Sequence, residues 1–162
     1  MIHVETLPLG PLETNCYLVY REGSSQCLAI DPGAEGAGIA EKLRRANLHL
    51  AAIALTHGHF DHVGGVKEIA AETGCDVYLC ADELTLPPQI TAGPLYYTKT
   101  YGEGDTLFAG SCGRTDLPGG SGVAMRASLR RLAGLSTDYR VYPGHDMDTT
   151  LAEEKRYNPY LQ

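Results

Sequence analysis

A cluster of histidines directly after an apolar segment constrains the fold of this chain more than any other feature. Residues 51–55 form a continuous apolar run with the length of a buried strand, and the cluster begins at the next residue. A strand that ends in a tight turn can aim several side chains at one point, because the sheet is rigid while the turn varies their directions. Imidazole and carboxylate groups together bind zinc, and also iron or manganese. The sequence therefore predicts a metal site built from His57, His59, Asp61 and His62.

The alternative is a polar surface loop whose histidines have no function. Three histidines and one aspartate within six residues, placed immediately after an apolar strand, make that alternative the weaker interpretation. A single histidine would not support the same inference.

The hydrophobic pattern predicts an α/β chain. A meander of three strands is followed by a helix, the buried strand, a second helix and another strand. The second half is less regular: residues 87–104 have no clear period and are predicted to form a long loop. The predicted strands are 2–9, 15–20, 27–30, 51–55, 77–80, 106–109 and 139–142, and the predicted helices are 35–47, 65–72, one with Met125, Leu129 and Leu132 on its apolar face, and 149–157.

Length and charge restrict the class of protein. With 162 residues, the chain is predicted to form one domain, 1–162. Its formal net charge of -7 disfavours nucleic acid as a partner, since that affinity depends mainly on Lys and Arg. No apolar run is long enough to span a membrane and no signal peptide is recognisable, so we expect a cytoplasmic protein. The five cysteines have no CxxC spacing and predict neither disulfides nor a zinc ribbon.

Residues 56–62 carry the pattern THxHxDH, the signature of the metallo-β-lactamase superfamily. The chain resembles the glyoxalase II-like branch of that family along nearly its whole length. This resemblance implies a four-layer αββα sandwich whose second half is shortened here. The segments that carry it besides the signature are NCY (15–17), IDPG (30–33), FDHVGG (60–65), GDTLF (104–108), GRTD (113–116), YPGH (142–145) and EKRYNP (154–159).

The resemblance also implies a ligand set for two metal ions, zinc or alternatively iron or manganese. His57 and His59 would bind the first ion and Asp61, His62 and His145 the second, with Asp105 as a bridge. Two of these assignments have a plain alternative: Asp105 could be an ordinary turn aspartate, and His145 an ordinary loop histidine. In contrast, Asp31 ends a strand in a Pro-Gly turn and is expected to support the site rather than bind metal.

One family histidine is missing. The third ligand of the first metal lies in the family before the bridging aspartate, but this chain has no histidine between His62 and His145. We therefore expect a weakened first site, because losing one of three protein ligands lowers metal affinity. The missing segment should also expose a sheet edge, which a homo-oligomer or a folded-over loop would cover.

The resemblance implies a metal-dependent hydrolase acting on a small-molecule thioester or related ester, with Asp61 as the catalytic residue that orients or deprotonates water. Dedicated glyoxalase II enzymes add a helical domain that grips glutathione, and this chain ends without one, so the acyl thioester itself stays open. A persulfide dioxygenase-like iron oxidoreductase is the first alternative, since that group shares the Gly113–Asp116 motif GRTD. A metal-binding but catalytically silent protein is the second.

Overall fold

The computed structural model describes residues 1–101, 107–113, 115 and 121–162. They divide into two compact units, Met1–Gly104 and Asp105–Gln162. The prediction of a single domain over 1–162 stays a prediction.

A mixed six-stranded sheet forms the first unit. Its strands are adjacent in chain order: β1 (Ile2–Leu9), β2 (Thr14–Arg21), β3 (Gln26–Ile30), β4 (His49–Ala54), β5 (Asp76–Cys80) and β6 (Lys99–Tyr101). The first three are antiparallel neighbours, whereas β3, β4, β5 and β6 run parallel. Parallel strands end at a common edge of the sheet, so the residues that follow β3, β4 and β5 are brought together there.

Helices connect the parallel strands. The crossover from β3 to β4 contains α1 (Gly36–Arg45), and that from β4 to β5 contains the one-turn α2 (Phe60–Val63) and then α3 (Val66–Thr73). The apolar stripes of α1 and α3 are buried, as their spacing predicts, and these two helices lie beside each other. The core beneath them includes Leu18, Ala29, Ile39, Leu43, Ile53, Leu55, Val66, Ile69, Val77 and Leu79.

The prediction of an irregular loop over 87–104 was wrong for two short pieces. After a 3₁₀ helix at Ala81–Thr85, the chain forms α4 (Pro88–Thr91) and later the strand β6. A single turn that begins at proline is too short to show a helical period, although proline suits the first turn of a helix. The three residues of β6 become a strand only through pairing with β5, and the Val77 amide donates to Thr98 Oγ1 at 2.8 Å just before it.

The second unit is smaller and packs around a minor core. It contains the hairpin β7 (Leu107–Phe108) and β8 (Ser111–Cys112), the helix α5 (Gly122–Ala133), the antiparallel pair β9 (Arg140–Val141) and β10 (Thr149–Thr150), and the helix α6 (Leu151–Tyr157). The predicted face of α5 is confirmed, since Leu129 is buried with Met125 and Leu132 packed against the same cluster. Ser121 and Thr150 cap α5 and α6 with their side-chain oxygens.

The EKRYNP segment (154–159) holds the second unit together through hydrogen bonds of Glu154 and Asn158. The carboxylate of Glu154 is buried and accepts hydrogen bonds from Gly110 N at 2.8 Å, Thr149 Oγ1 at 2.8 Å and Asn158 Nδ2 at 2.7 Å. Asn158 Nδ2 also donates to the Ser111 carbonyl at 2.8 Å. These contacts satisfy a buried charge and fasten α6 to the β7–β8 hairpin.

None of the helices in the described part of the chain has the length and apolar character that crossing a membrane requires. All five cysteines are free thiols in this structure.

Candidate metal centre

The predicted histidine cluster lies at the carboxyl edge of the parallel strands. The chain leaves β4 after Ala54 and enters the cluster one residue later, after Leu55. Asp31 follows the end of β3 at the same edge of the sheet, and its amide donates to the Ala54 carbonyl at 3.1 Å. Asp31 adopts a left-handed backbone conformation, with φ of 49°. That conformation is uncommon outside glycine, asparagine and aspartate, and it turns the chain sharply at the strand end.

Asp31 anchors the start and the end of the histidine cluster. Its side chain is buried, Oδ1 accepts from Thr56 N at 2.7 Å, and Oδ2 accepts from Thr56 Oγ1 at 2.5 Å. His62 Nδ1 lies 2.9 Å from the same Oδ2 atom. Both oxygens of Asp31 are therefore engaged by residues of the cluster, and its supporting role stays a prediction.

Counting protons assigns the tautomers of two histidines. An ionised Asp31 can only accept, so His62 Nδ1 carries its proton toward Asp31. The single hydroxyl proton of Thr56 is used on Asp31, so the 2.9 Å contact between Thr56 Oγ1 and His57 Nδ1 places a proton on that nitrogen too. In the neutral form of each ring, Nε2 then has the lone pair that a metal ligand needs.

Asp61 stands next to the ligand atom of His62. Its Oδ2 atom is 3.5 Å from His62 Nε2, a separation that two ligands of one metal ion can have. Thr14, a fully buried residue at the start of β2, donates from Oγ1 to Asp61 Oδ2 at 2.9 Å. Two groups of the predicted second metal site are thus adjacent and held by hydrogen bonds.

The three imidazole rings of the cluster lie together. The ring centroids of His57 and His59 are 4.4 Å apart, and those of His57 and His62 are 3.9 Å apart. Within the described residues of the first unit, one set of three potential metal donors lies within 4.8 Å of one another, and it contains Asp31, His57 and His62 but not His59. We assign Asp31 in that set to orientation, since its oxygens already accept from Thr56 and His62.

Glycines let the Asp31 turn and α2 interlock. A Cβ atom on Gly33 would lie 1.6 Å from the carbonyl oxygen of Asp61, and one on Gly64 would lie 2.3 Å from the carbonyl oxygen of Gly33. The Gly65 amide donates to the Pro32 carbonyl at 2.9 Å. The helix that carries Asp61 and His62 is therefore fixed against the turn that carries Asp31.

Two residues that hold the histidine cluster by hydrogen bonds were not predicted from the sequence. Thr14 precedes the NCY segment, and Glu83 lies in the 3₁₀ helix after β5, where its Oε2 atom accepts from Gly58 N at 2.7 Å. Burial raises the pKa of Glu83, with the Gly58 hydrogen bond opposing that rise. The position of Glu83 just beyond a strand parallel to β4 was the signal that could have identified it.

The remaining predicted residues have the following places. Asp105, Arg114 and Asp116 lie outside the described residues. His145 is half-buried in the connection between β9 and β10 of the second unit, and Cys112 is half-buried in β8, where burial raises its pKa. His49 begins β4 at the end opposite the cluster, and the ring of His3 stacks on that of Tyr20 at 5.3 Å.

Comparison with known proteins identifies the family. A model of the metallo-β-lactamase superfamily matches residues 9–98. The probable metallo-hydrolase YqgX of Bacillus subtilis is 30% identical over 203 aligned positions, covering 96% of this chain and 95% of that protein. A hydroxyacylglutathione hydrolase of Tolumonas auensis is 37% identical, covering 90% of this chain and 66% of that protein. Because the 203 positions exceed the 162 residues of this chain, YqgX has residues without a counterpart here.

Solved structures agree with this assignment. The BLEG-1 B3 metallo-β-lactamase has a TM-score of 0.85 at 26% identity, covering 98% of this chain and 99% of that chain. TTHA1623, solved in a di-iron-bound form, has a TM-score of 0.79 at 32% identity, covering 98% of this chain and 100% of that chain. ETHE1 from Myxococcus xanthus has a TM-score of 0.75 at 25% identity, covering 97% of this chain and 83% of that chain. The predicted α/β class is confirmed, and the chain belongs to the metallo-β-lactamase superfamily of metal-binding hydrolases.

Proposed function

We propose that this protein is a metal-dependent hydrolase of a small-molecule thioester or related ester, similar in activity to glyoxalase II. The observation that carries the proposal is the Asp31 network, which directs Nε2 lone pairs of His57 and His62 away from the carboxylate and holds His62 beside Asp61. The name of the Tolumonas relative, a hydroxyacylglutathione hydrolase, supports the thioester class.

The donor set fits a divalent metal. Imidazole nitrogens in the right tautomer and an adjacent carboxylate suit zinc, iron or manganese. We propose that His57 and His59 bind a first ion, that Asp61, His62 and His145 bind a second, and that Asp105 bridges them. Such an ion supplies Lewis acidity to a carbonyl group and to water.

The chain's own residues orient the reacting groups. Asp31 fixes the ring of His62, and Thr14 fixes Oδ2 of Asp61. We propose that the Asp61 carboxylate orients the attacking water and accepts its proton, because a carboxylate held in one direction is a suitable general base. Expulsion of a thiolate, a good leaving group, then needs no strong acid from the chain.

The missing histidine lowers the expected occupancy of the first metal. No histidine lies between His62 and His145, and the described residues of the first unit bring no third donor into a group with His57 and His59. We propose that the second ion binds more tightly than the first. A homo-oligomer and a cytoplasmic location stay predictions from the sequence.

An iron-dependent oxidoreductase is the second candidate. Its support is the GRTD motif at 113–116, by which the chain resembles persulfide dioxygenases, and the similarity to TTHA1623, which was solved in a di-iron-bound form. Oxygen uptake with glutathione persulfide as substrate would favour this candidate, whereas thioester cleavage without oxygen uptake would favour the hydrolase.

Elemental analysis of protein purified without added metal, combined with a thioester assay on the same sample, tests the proposal. S-lactoylglutathione and a small acyl thioester are the substrates, and His49→Ala is the matched control because His49 is exposed and belongs to no metal-donor group in the described chain. Metal uptake with turnover of either thioester is expected. Metal uptake without turnover of any thioester or ester would leave the catalytically silent interpretation standing and refute the proposal.

A further inference from the structure

Glu83 reaches the histidine cluster from the next parallel strand. β5 ends at Cys80, the 3₁₀ helix Ala81–Thr85 follows, and Glu83 lies in its middle. Since β4 and β5 are parallel, the chain leaves both strands at the same edge of the sheet. The Gly58 amide donates to Glu83 Oε2 at 2.7 Å, so this carboxylate holds the peptide bond between His57 and Gly58.

The surroundings of Gly58 are restricted on another side by apolar contacts. A Cβ atom on Gly58 would lie 3.0 Å from Leu95 Cδ1 and 3.3 Å from Leu86 Cδ1. Glu83 is itself half-buried, and burial is the main cause that raises its pKa. A carboxylate in such a place is costly to desolvate, and a hydrogen bond from a buried amide offsets part of that cost.

The position of this hydrogen bond matters for metal binding. Glycine permits a wide range of backbone angles, so the Gly58 residue between the two histidines is where the loop could most easily rotate. A rotation there would change the distance between His57 Nε2 and His59. Groups outside the ligand shell that fix ligand orientation commonly raise metal affinity about 10- to 100-fold.

We infer that Glu83 is a positioning residue of the metal centre, whose carboxylate holds Gly58 so that His57 and His59 keep the spacing of a ligand pair. This inference rests on the proposed roles of His57 and His59 as ligands. It gains weight from the missing third histidine, because a site with fewer ligands depends more on the preorganisation of those that are left.

The test compares three variants at this position with a matched control. Glu83→Ala removes the acceptor, Glu83→Asp keeps the charge but shortens the side chain, and Glu83→Gln keeps an oxygen that can accept from Gly58. Glu68→Ala is the control, since Glu68 Oε2 accepts from the Ala37 amide at 3.1 Å and joins α3 to α1. Each metal-free protein is titrated with Zn²⁺ against a chelator and with Co²⁺ by visible absorption, and its melting temperature is measured without metal.

We expect Glu83→Ala and Glu83→Asp to bind the weaker metal equivalent about 10- to 100-fold less tightly and to show an altered Co²⁺ spectrum. Glu83→Gln should recover most of the loss, and Glu68→Ala should bind metal as the unsubstituted protein does. If Glu83→Ala does not fold, Glu83→Asp carries the same comparison.

Unchanged metal affinity and Co²⁺ spectra in both Glu83→Ala and Glu83→Asp would overturn the inference. It would also be overturned if Glu83→Gln failed to recover metal affinity, or if Glu68→Ala lost as much metal affinity as Glu83→Ala. Failure of the proposed function would look different: no thioester would be cleaved, although the Glu83 variants still changed metal binding. A protein that takes up no Zn²⁺ or Co²⁺ at all would overturn both.

Discussion

Asp31 Oδ2 lies 2.9 Å from His62 Nδ1, and the same oxygen accepts the hydroxyl proton of Thr56. One buried carboxylate atom therefore determines the tautomer of His62 directly and that of His57 through Thr56. The chemistry of the predicted ligands depends on a residue that itself binds no metal in our proposal.

Replacement of Asp31 by asparagine should weaken metal binding without leaving a cavity. The amide group can present NH₂ to His62, which would then need to accept at Nδ1 and carry its proton on Nε2. We expect Zn²⁺ affinity to fall by about 10- to 100-fold or more, measured by chelator competition. Asp76→Asn is the control, because Asp76 Oδ1 also accepts from a threonine, Thr98, at 3.0 Å. Equal affinities in the two variants would contradict this account of Asp31.

Removal of individual histidines should reveal an unequal pair of sites. His62→Ala should abolish metal binding, because it leaves Asp61 without its neighbouring imidazole. His57→Ala should lower the bound metal per chain by less than His62→Ala does, since the site of His57 already lacks a ligand. Elemental analysis of both variants checks this, with His49→Ala as the control. Equal metal loss in His62→Ala and His57→Ala would argue against a depleted first site.

A methyl group at Gly33 should destabilise the whole first unit. The added Cβ would lie 1.6 Å from the Asp61 carbonyl oxygen, which is backbone and cannot move aside alone. We expect Gly33→Ala to lower the free energy of unfolding by about 3 kcal/mol or more in urea denaturation. The control is Gly38→Ala in α1, where the nearest atom is Glu35 Cβ at 4.0 Å. That change should instead raise the free energy of unfolding by about 0.5–1 kcal/mol, because alanine favours helix. Similar free energies of unfolding for Gly33→Ala and Gly38→Ala would show that the turn at Gly33 can shift to accommodate a methyl group.

The buried cysteines should resist thiol reagents in the folded protein. Burial is the main cause that raises the pKa of Cys16 to about 12 and that of Cys27 to about 11. Both thiols are therefore protonated at about pH 8, and the reactive thiolate is rare. Labelling with a chromogenic disulfide should be slow in buffer, should occur first at the half-buried Cys112, and should reach all five thiols in denaturant. Rapid labelling of Cys16 in the native protein would contradict this burial.

The sequence predicted the first unit well because its signals are local. The apolar period of α1 and α3 and the runs of β1 to β5 each lie within one element, and the structure differs from them by one or two residues at the ends. In contrast, α4 is a single turn that is too short to show a helical period, and β6 exists as a strand only through its contacts with β5. Single-sequence patterns do not record such contacts.

The same distinction separates the parts of the site. His57, His59, Asp61 and His62 are neighbours in sequence, so their spacing alone makes them candidate ligands. Thr14 meets Asp61 across 47 residues, and Glu83 meets Gly58 across 25 residues. Only the pairing of strands brings these supporting groups to the cluster, and no local pattern marks them.

The anchoring groups come from the ends of three successive parallel strands, with Asp31 after β3, Thr56 after β4 and Glu83 after β5. A nascent chain exposes the histidines before the strand that precedes Glu83 has been synthesised. The histidines should therefore reach their full metal affinity only in a chain in which β3, β4 and β5 have paired.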